Sequence, residues 1–190
     1  MDNLQDLINN RRSIYKFTEE SVKDEILNQA LVAASNAPCH KHTHPWRFYV
    51  LGSKTRAKLI PTITKLAKIK SDKLQSKDPE SDEKRAIRKI TDPPLLIAVT
   101  SRRNPDDKFR EKEDYAASVC ALHNLVLSLW ENGVGCQWST GSITRDEITY
   151  KCLSIDYEQE EIIGFIKAGY PQNIRKVNKK PLDEIVKYLD

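Results

Sequence analysis

Apolar positions along the chain change period repeatedly, and each change marks an element. Leu4, Leu7 and Ile8 have helical spacing, so a short first helix should end near Asn9 and Asn10. Val22, Ile26, Ala30, Ala33 and Ala34, joined by Leu27 and Leu31, form the apolar face of a second helix. Ser21 is placed to open it, with Asp24 and Glu25 at the positive end of the dipole. Trp46 to Leu51 has apolar residues on both faces and reads as a strand covered on both sides. A helix through Leu59, Ile60, Ile63 and Leu66 should follow, disturbed at Pro61.

Residues 70–90 are dense in charge and contain Pro79, which predicts a solvated helix pair or a mobile loop. After Asp92-Pro93-Pro94, the run Leu95 to Val99 is apolar without alternation, as a central strand requires. The strongest helix runs from about Glu113 to Glu131, apolar on nearly all sides, and ends at Gly133. A helix of that kind belongs in a large core or a subunit interface. His123 is one of its polar exceptions and is expected to make a core hydrogen bond. Cys136 to Trp138 is a short strand, and Ser139-Thr140-Gly141-Ser142 a compact turn. Thr144 to Glu147 reads as a capping box for one more helix. Ile162 to Ile166 is the last strand, stopped at Gly169-Tyr170-Pro171. The result is an α+β fold: one domain over residues 1–190, with a sheet flanked by helices.

Composition narrows the function classes. A formal net charge of +4 is mild, and no basic helix alternates with aromatics, so nucleic acid is not an expected partner. No apolar run is long enough to span a membrane, and the N-terminus is polar. Cys39, Cys120, Cys136 and Cys152 lie far apart and read as buried or free thiols, which suits a cytoplasmic location. A GxGxxG after a strand and a nucleophile elbow are both missing.

Candidate chemistry concentrates in two places. Arg11, Arg12 and Ser13 present two guanidinium forks and a hydroxyl, a set suited to phosphate. Pro38 to Phe48 carries His40, His42 and His44 at alternate positions between two prolines. Such a run can be a connecting loop, a metal or regulatory site with Cys39, or the wall of a small-molecule pocket. Its spacing is not that of a standard zinc site.

Pro38, His40, Lys41, Thr43, Pro45, Trp46, Arg47 and Phe48, with Arg11-Arg12-Ser13-Ile14 upstream, resemble the signature runs of the FMN-dependent nitroreductase family, particularly its short bacterial branch. Trp138 and Gly141 resemble its Trp-x-x-Gly segment, and Lys179-Lys180-Pro181-Leu182 its basic tail. The resemblance implies a mostly antiparallel sheet and a homodimer with FMN at the subunit interface, the long helix lying in that interface. It implies Arg11, Arg12, Ser13 and Lys179 at the FMN phosphate. Pro38, Cys39, His40, His42, Trp138, Ser139, Thr140 and Gly141 would surround the flavin. The Gly141 backbone would steer chemistry at N5, with no catalytic side chain. NADH or NADPH would supply electrons, and a nitroaromatic, quinone or similar electron-poor small molecule would accept them by a ping-pong mechanism. A member that keeps FMN only as a redox sensor is the alternative. Residues 70–90 would be a variable insertion covering the substrate side. Tyr15 departs from the family's usual Arg. His42 and His44 replace its carboxamides, and a ring facing the flavin would raise the midpoint potential as pH falls.

Overall fold

A computed structural model describes residues 3–189. Its helices are α1 (Leu4–Asn10), α2 (Asp24–Ser35), α3 (Ser53–Lys73), α4 (Pro79–Thr91), α5 (Lys108–Glu131) and α6 (Glu147–Leu153). Its strands are β1 (Trp46–Val50), β2 (Leu95–Arg102), β3 (Gly135–Ser139) and β4 (Glu160–Gly169). They form one sheet in the order β1-β2-β4-β3, antiparallel throughout.

β2 explains the layering. Leu95, Ile97 and Val99 point to one side, where α2 and α5 supply Ala30, Ala34, Leu122, Leu125 and Leu129. Leu96 and Ala98 point to the other, against Leu59 and Ile63 of α3, Ile90 of α4 and Tyr150 of α6. Alternate side chains enter opposite faces, and both faces are covered, so β2 has no polar residue until Thr100. Thr100 and Tyr49 hydroxyls both donate to the Glu160 carboxylate, tying β1, β2 and β4 together.

β1 is an outer strand that leaves Val50 and Arg47 exposed, yet both its faces are covered as expected, Phe48 packing on the side of α2 and α5 and Tyr49 on the side of α3 and α6. Other local expectations are corrected. α2 begins at Asp24 after Lys23, and Ser21 does not cap it. Asp146 caps α6 through the Ile148 and Thr149 amides, while the Thr144 hydroxyl instead donates to Gly141 O. α5 starts at Lys108, where Asp107 accepts from the Arg110 amide. His123 is exposed and makes no hydrogen bond among the described residues; its pKa is lowered by partial burial and then by Arg11. Residues 79–91 are helical, and this helix reaches the site below.

Candidate functional site

The N-terminal segment is stitched beside β3. The Ile14 amide donates to Cys136 O at 2.9 Å, and the Thr18 amide donates to Tyr170 O at 2.9 Å. Gly135 makes the first contact possible: a Cβ there would stand 2.3 Å from Ile14 Cγ1. Ile14 is therefore buried while Ser13 on its flank stays exposed. Arg12 Nη1 donates to Asn9 O at 2.6 Å and Arg11 O at 2.8 Å, closing the end of α1. Arg11 has no side-chain partner among the described residues and is the freer cation of the pair.

Next to Ser13 opens a cavity of about 660 Å³. Lys16 enters from the N-terminal segment, Arg85, Arg88 and Lys89 from α4, Lys167 from β4 and Arg175 from the tail. Asp92 is the carboxylate on its wall, and Gln137 of β3 completes the floor. Lys167 is only 4% exposed. It has no hydrogen bond or ion pair among the described residues. Burial, and then the charge of Lys89, push its pKa down to about 8. An ammonium buried among cations without a partner is costly unless a ligand supplies negative charge. This cationic wall suits an anion.

The turn after β3 is braced from beneath. Gly141 O accepts from the Thr144 amide at 3.1 Å and from its hydroxyl at 2.9 Å, and buried Tyr150 donates to Thr144 O at 3.0 Å. The side where Gly141 lacks a Cβ is open, with nothing within 4 Å, at φ 158°. A flat ring can approach that backbone. The Trp138 indole lies over Gly164 and donates to Ile163 O at 3.1 Å. A Cβ on Gly164 would come 2.1 Å from Trp138 Nε1. Gly164→Ala should therefore expel the indole and cost about 1–3 kcal/mol, read as a lower Tm with a changed Trp emission spectrum.

The histidine loop lies elsewhere. It precedes β1, whereas Ser13 pairs beside β3 at the opposite edge. Three strand spacings separate the edges, about 14 Å, and the register adds about 23 Å along the strands between Trp46 and Cys136, beside Ser13, though less toward Trp138 and Gly141. Within one chain, Pro38, Cys39, His40 and His42 are not brought to Arg11, Arg12, Ser13, Trp138, Ser139, Thr140 and Gly141. Lys41, His42 and His44 have φ of 51°, 53° and 42°, strained values for residues with a Cβ. Asp114 holds them there. This carboxylate is 1% exposed and accepts from the Thr43 hydroxyl at 3.0 Å and the Asn104 amide at 2.8 Å. Arg110 lies 3.4 Å from it and donates to His40 O at 2.9 Å. His44 meets Trp46 edge-on at 5.4 Å. Among the described residues no His, Cys, Asp and Glu group could hold a metal ion.

Arg175 rather than Lys179 brings the basic tail to the cavity. Arg88, Lys89 and Lys167 were not foreseen as site residues. Arg88 and Lys89 looked like ordinary helix surface. Lys167 did carry a signal: it shares a strand face with Phe165, where an apolar residue belongs.

Comparison with known proteins identifies the family and matches the fold. Residues 8–170 match the nitroreductase family. The chain is 31% identical over 178 residues to YfhC of Bacillus subtilis strain 168, a protein named for a proposed NAD(P)H nitroreductase activity. That match covers 93% of this chain and 89% of YfhC. Among solved structures, a nitroreductase-like family protein from Bacillus cereus superposes with TM-score 0.85 at 24% identity, covering 100% of this chain and 97% of that one. Iodotyrosine deiodinase, bound to FMN and 3-iodo-L-tyrosine, superposes with TM-score 0.77 at 24% identity, covering 98% of this chain and 99% of that one. The chain belongs to the nitroreductase family, whose members are oxidoreductases.

Proposed function

We propose that this protein is an FMN-dependent NAD(P)H oxidoreductase, working as a homodimer with a flavin between the two copies. The observation that carries this reading is the cationic cavity beside Ser13, with Lys167 buried in it and lacking a counter-charge. FMN fits these residues chemically. Arg11 and Ser13 offer donors to its phosphate, the cavity's cations stabilise its negative charge, and the open side of Gly141 leaves room for its ring. When bound, FMN would carry electrons from NADH or NADPH to an electron-poor acceptor such as a nitroaromatic or quinone. This chain's residues bind and orient it, and the Thr144 and Tyr150 brace keeps the Gly141 backbone fixed beside it.

The two-copy arrangement answers the separation of the histidine loop. Pro38, Cys39, His40 and His42 would reach the site of the other copy. The apolar surface left uncovered supports this. Phe109 of α5 is 75% exposed, and the tail displays Ile174, Leu182, Ile185 and Tyr188 to solvent. The exposed face of α5, with Ala116 and Cys120, would form the shared surface. No described helix is long and apolar enough to cross a membrane. The free thiols suit a cytoplasmic protein.

Sedimentation equilibrium should return a dimer at micromolar concentration. Steady-state reduction of a quinone or nitroaromatic by NADH or NADPH should give parallel double-reciprocal lines, the mark of one pocket used in turn. A flavin-loaded monomer active at the same rate, or a flavin-loaded dimer that reduces no acceptor, would overturn the corresponding part. Arg11→Ala should weaken FMN binding by roughly 10-fold or more, since a charge-assisted bond contributes about 1.5–3 kcal/mol.

A further inference from the structure

Lys167 is the one buried cation in the cavity, and its surroundings are unusual. Lys16 and Tyr15 of the N-terminal segment, Arg85, Arg88 and Lys89 of α4, Asp92 beyond it and Arg175 of the tail line the same space. Asp92 makes no ion pair with Lys167, and Gln137, opposite Lys167 in the sheet register, is uncharged. Nothing described neutralises the ammonium, so it is charged only reluctantly in the empty protein.

We propose that Lys167 binds a negatively polarised oxygen of FMN and takes up a proton from solvent as the cofactor enters, which makes cofactor capture sensitive to pH. This rests on the FMN reading of the cavity and adds a regulation to it. The step balances simply: the neutral amine gains one proton from the buffer, no bond to carbon changes, and the ammonium then donates to the ligand oxygen. Lys89 and the arginines of the cavity are exposed to water, unlike Lys167. The oxygen belongs to the phosphate or to a ring carbonyl, and both offer the same acceptor chemistry.

With a Lys167 pKa of about 8 in the empty protein, binding at pH 8 should take up about half a proton. Isothermal titration of apoprotein with FMN, in two buffers of different ionisation enthalpy, reads that number. The wild-type dissociation constant should also rise about tenfold between pH 7 and 9. The phosphate's own second ionisation, at about 6, lies below this range. Lys167→Met and the permanently charged Lys167→Arg should bind FMN without this uptake. Riboflavin in place of FMN separates the sources: uptake with FMN alone assigns the phosphate, and uptake with both assigns the ring. FMN binding with no buffer dependence, or with equal uptake in Lys167→Met, overturns the role of Lys167 and leaves the flavin reading intact. If no flavin binds in any buffer, both fall together.

Discussion

Asp114→Ala should destabilise the protein by about 3 kcal/mol or more, among the largest effects of any single substitution here. The residue is 1% exposed, accepts from Thr43 and Asn104, and forms an ion pair with Arg110. Its removal leaves a hydroxyl, an amide and a mostly buried guanidinium facing a cavity. It also frees the loop in which Lys41, His42 and His44 are held in left-handed backbone. Urea unfolding followed by circular dichroism measures the loss. Asp114→Asn, which keeps the shape and one acceptor, should cost clearly less. A cost below about 1 kcal/mol for Asp114→Ala would mean that the loop is held by something else.

Lys167→Met should act in the opposite direction and stabilise the empty protein at pH 7. The pKa of Lys167 falls from 10.5 to about 8 on folding. At about 1.36 kcal/mol per unit this caps the gain near 3 kcal/mol. The sign follows from linkage. The unfolded chain binds the proton more tightly, so the cost of burial is present in full below pH 8. It is relieved as pH rises from about 8 to 10.5. Wild-type stability should gain over that window relative to Lys167→Met, and the two unfolding curves should converge near its upper end. A variant less stable than wild type at pH 7 would show that Lys167 already has a partner in the empty protein. Stability given up at a binding residue and recovered on ligation is a common trade.

Much of this was legible before any coordinates. The unbroken apolar run Leu95 to Val99 could only be a covered strand, and it is the second strand of the sheet, covered on both faces. The Arg11-Arg12-Ser13 and Pro38-to-Phe48 runs named the family because their order and spacing are specific. Other features depend on tertiary contacts. Whether Arg12 or Arg11 is free is decided by the end of α1, whose carbonyls occupy Arg12. Thr43 looks like a pocket residue in a polar loop, yet Asp114, distant in sequence, claims its hydroxyl. His123 sits in an apolar helix but on the side that this chain leaves open. Arg88 and Lys89 are indistinguishable by pattern from any solvated helix face until α4 packs beside β4. The β1 edge position likewise follows from sheet order, which periodicity within one strand does not encode.

The central claim is that the cavity beside Ser13 holds FMN. Titration of apoprotein with FMN, followed by quenching of flavin fluorescence, tests it most directly. The expected result is saturable binding of one FMN per chain with a dissociation constant of about 1 μM or tighter, equivalent to about 8 kcal/mol. Fluorescence that rises in proportion to added FMN, with no saturation up to about 100 μM, would contradict it.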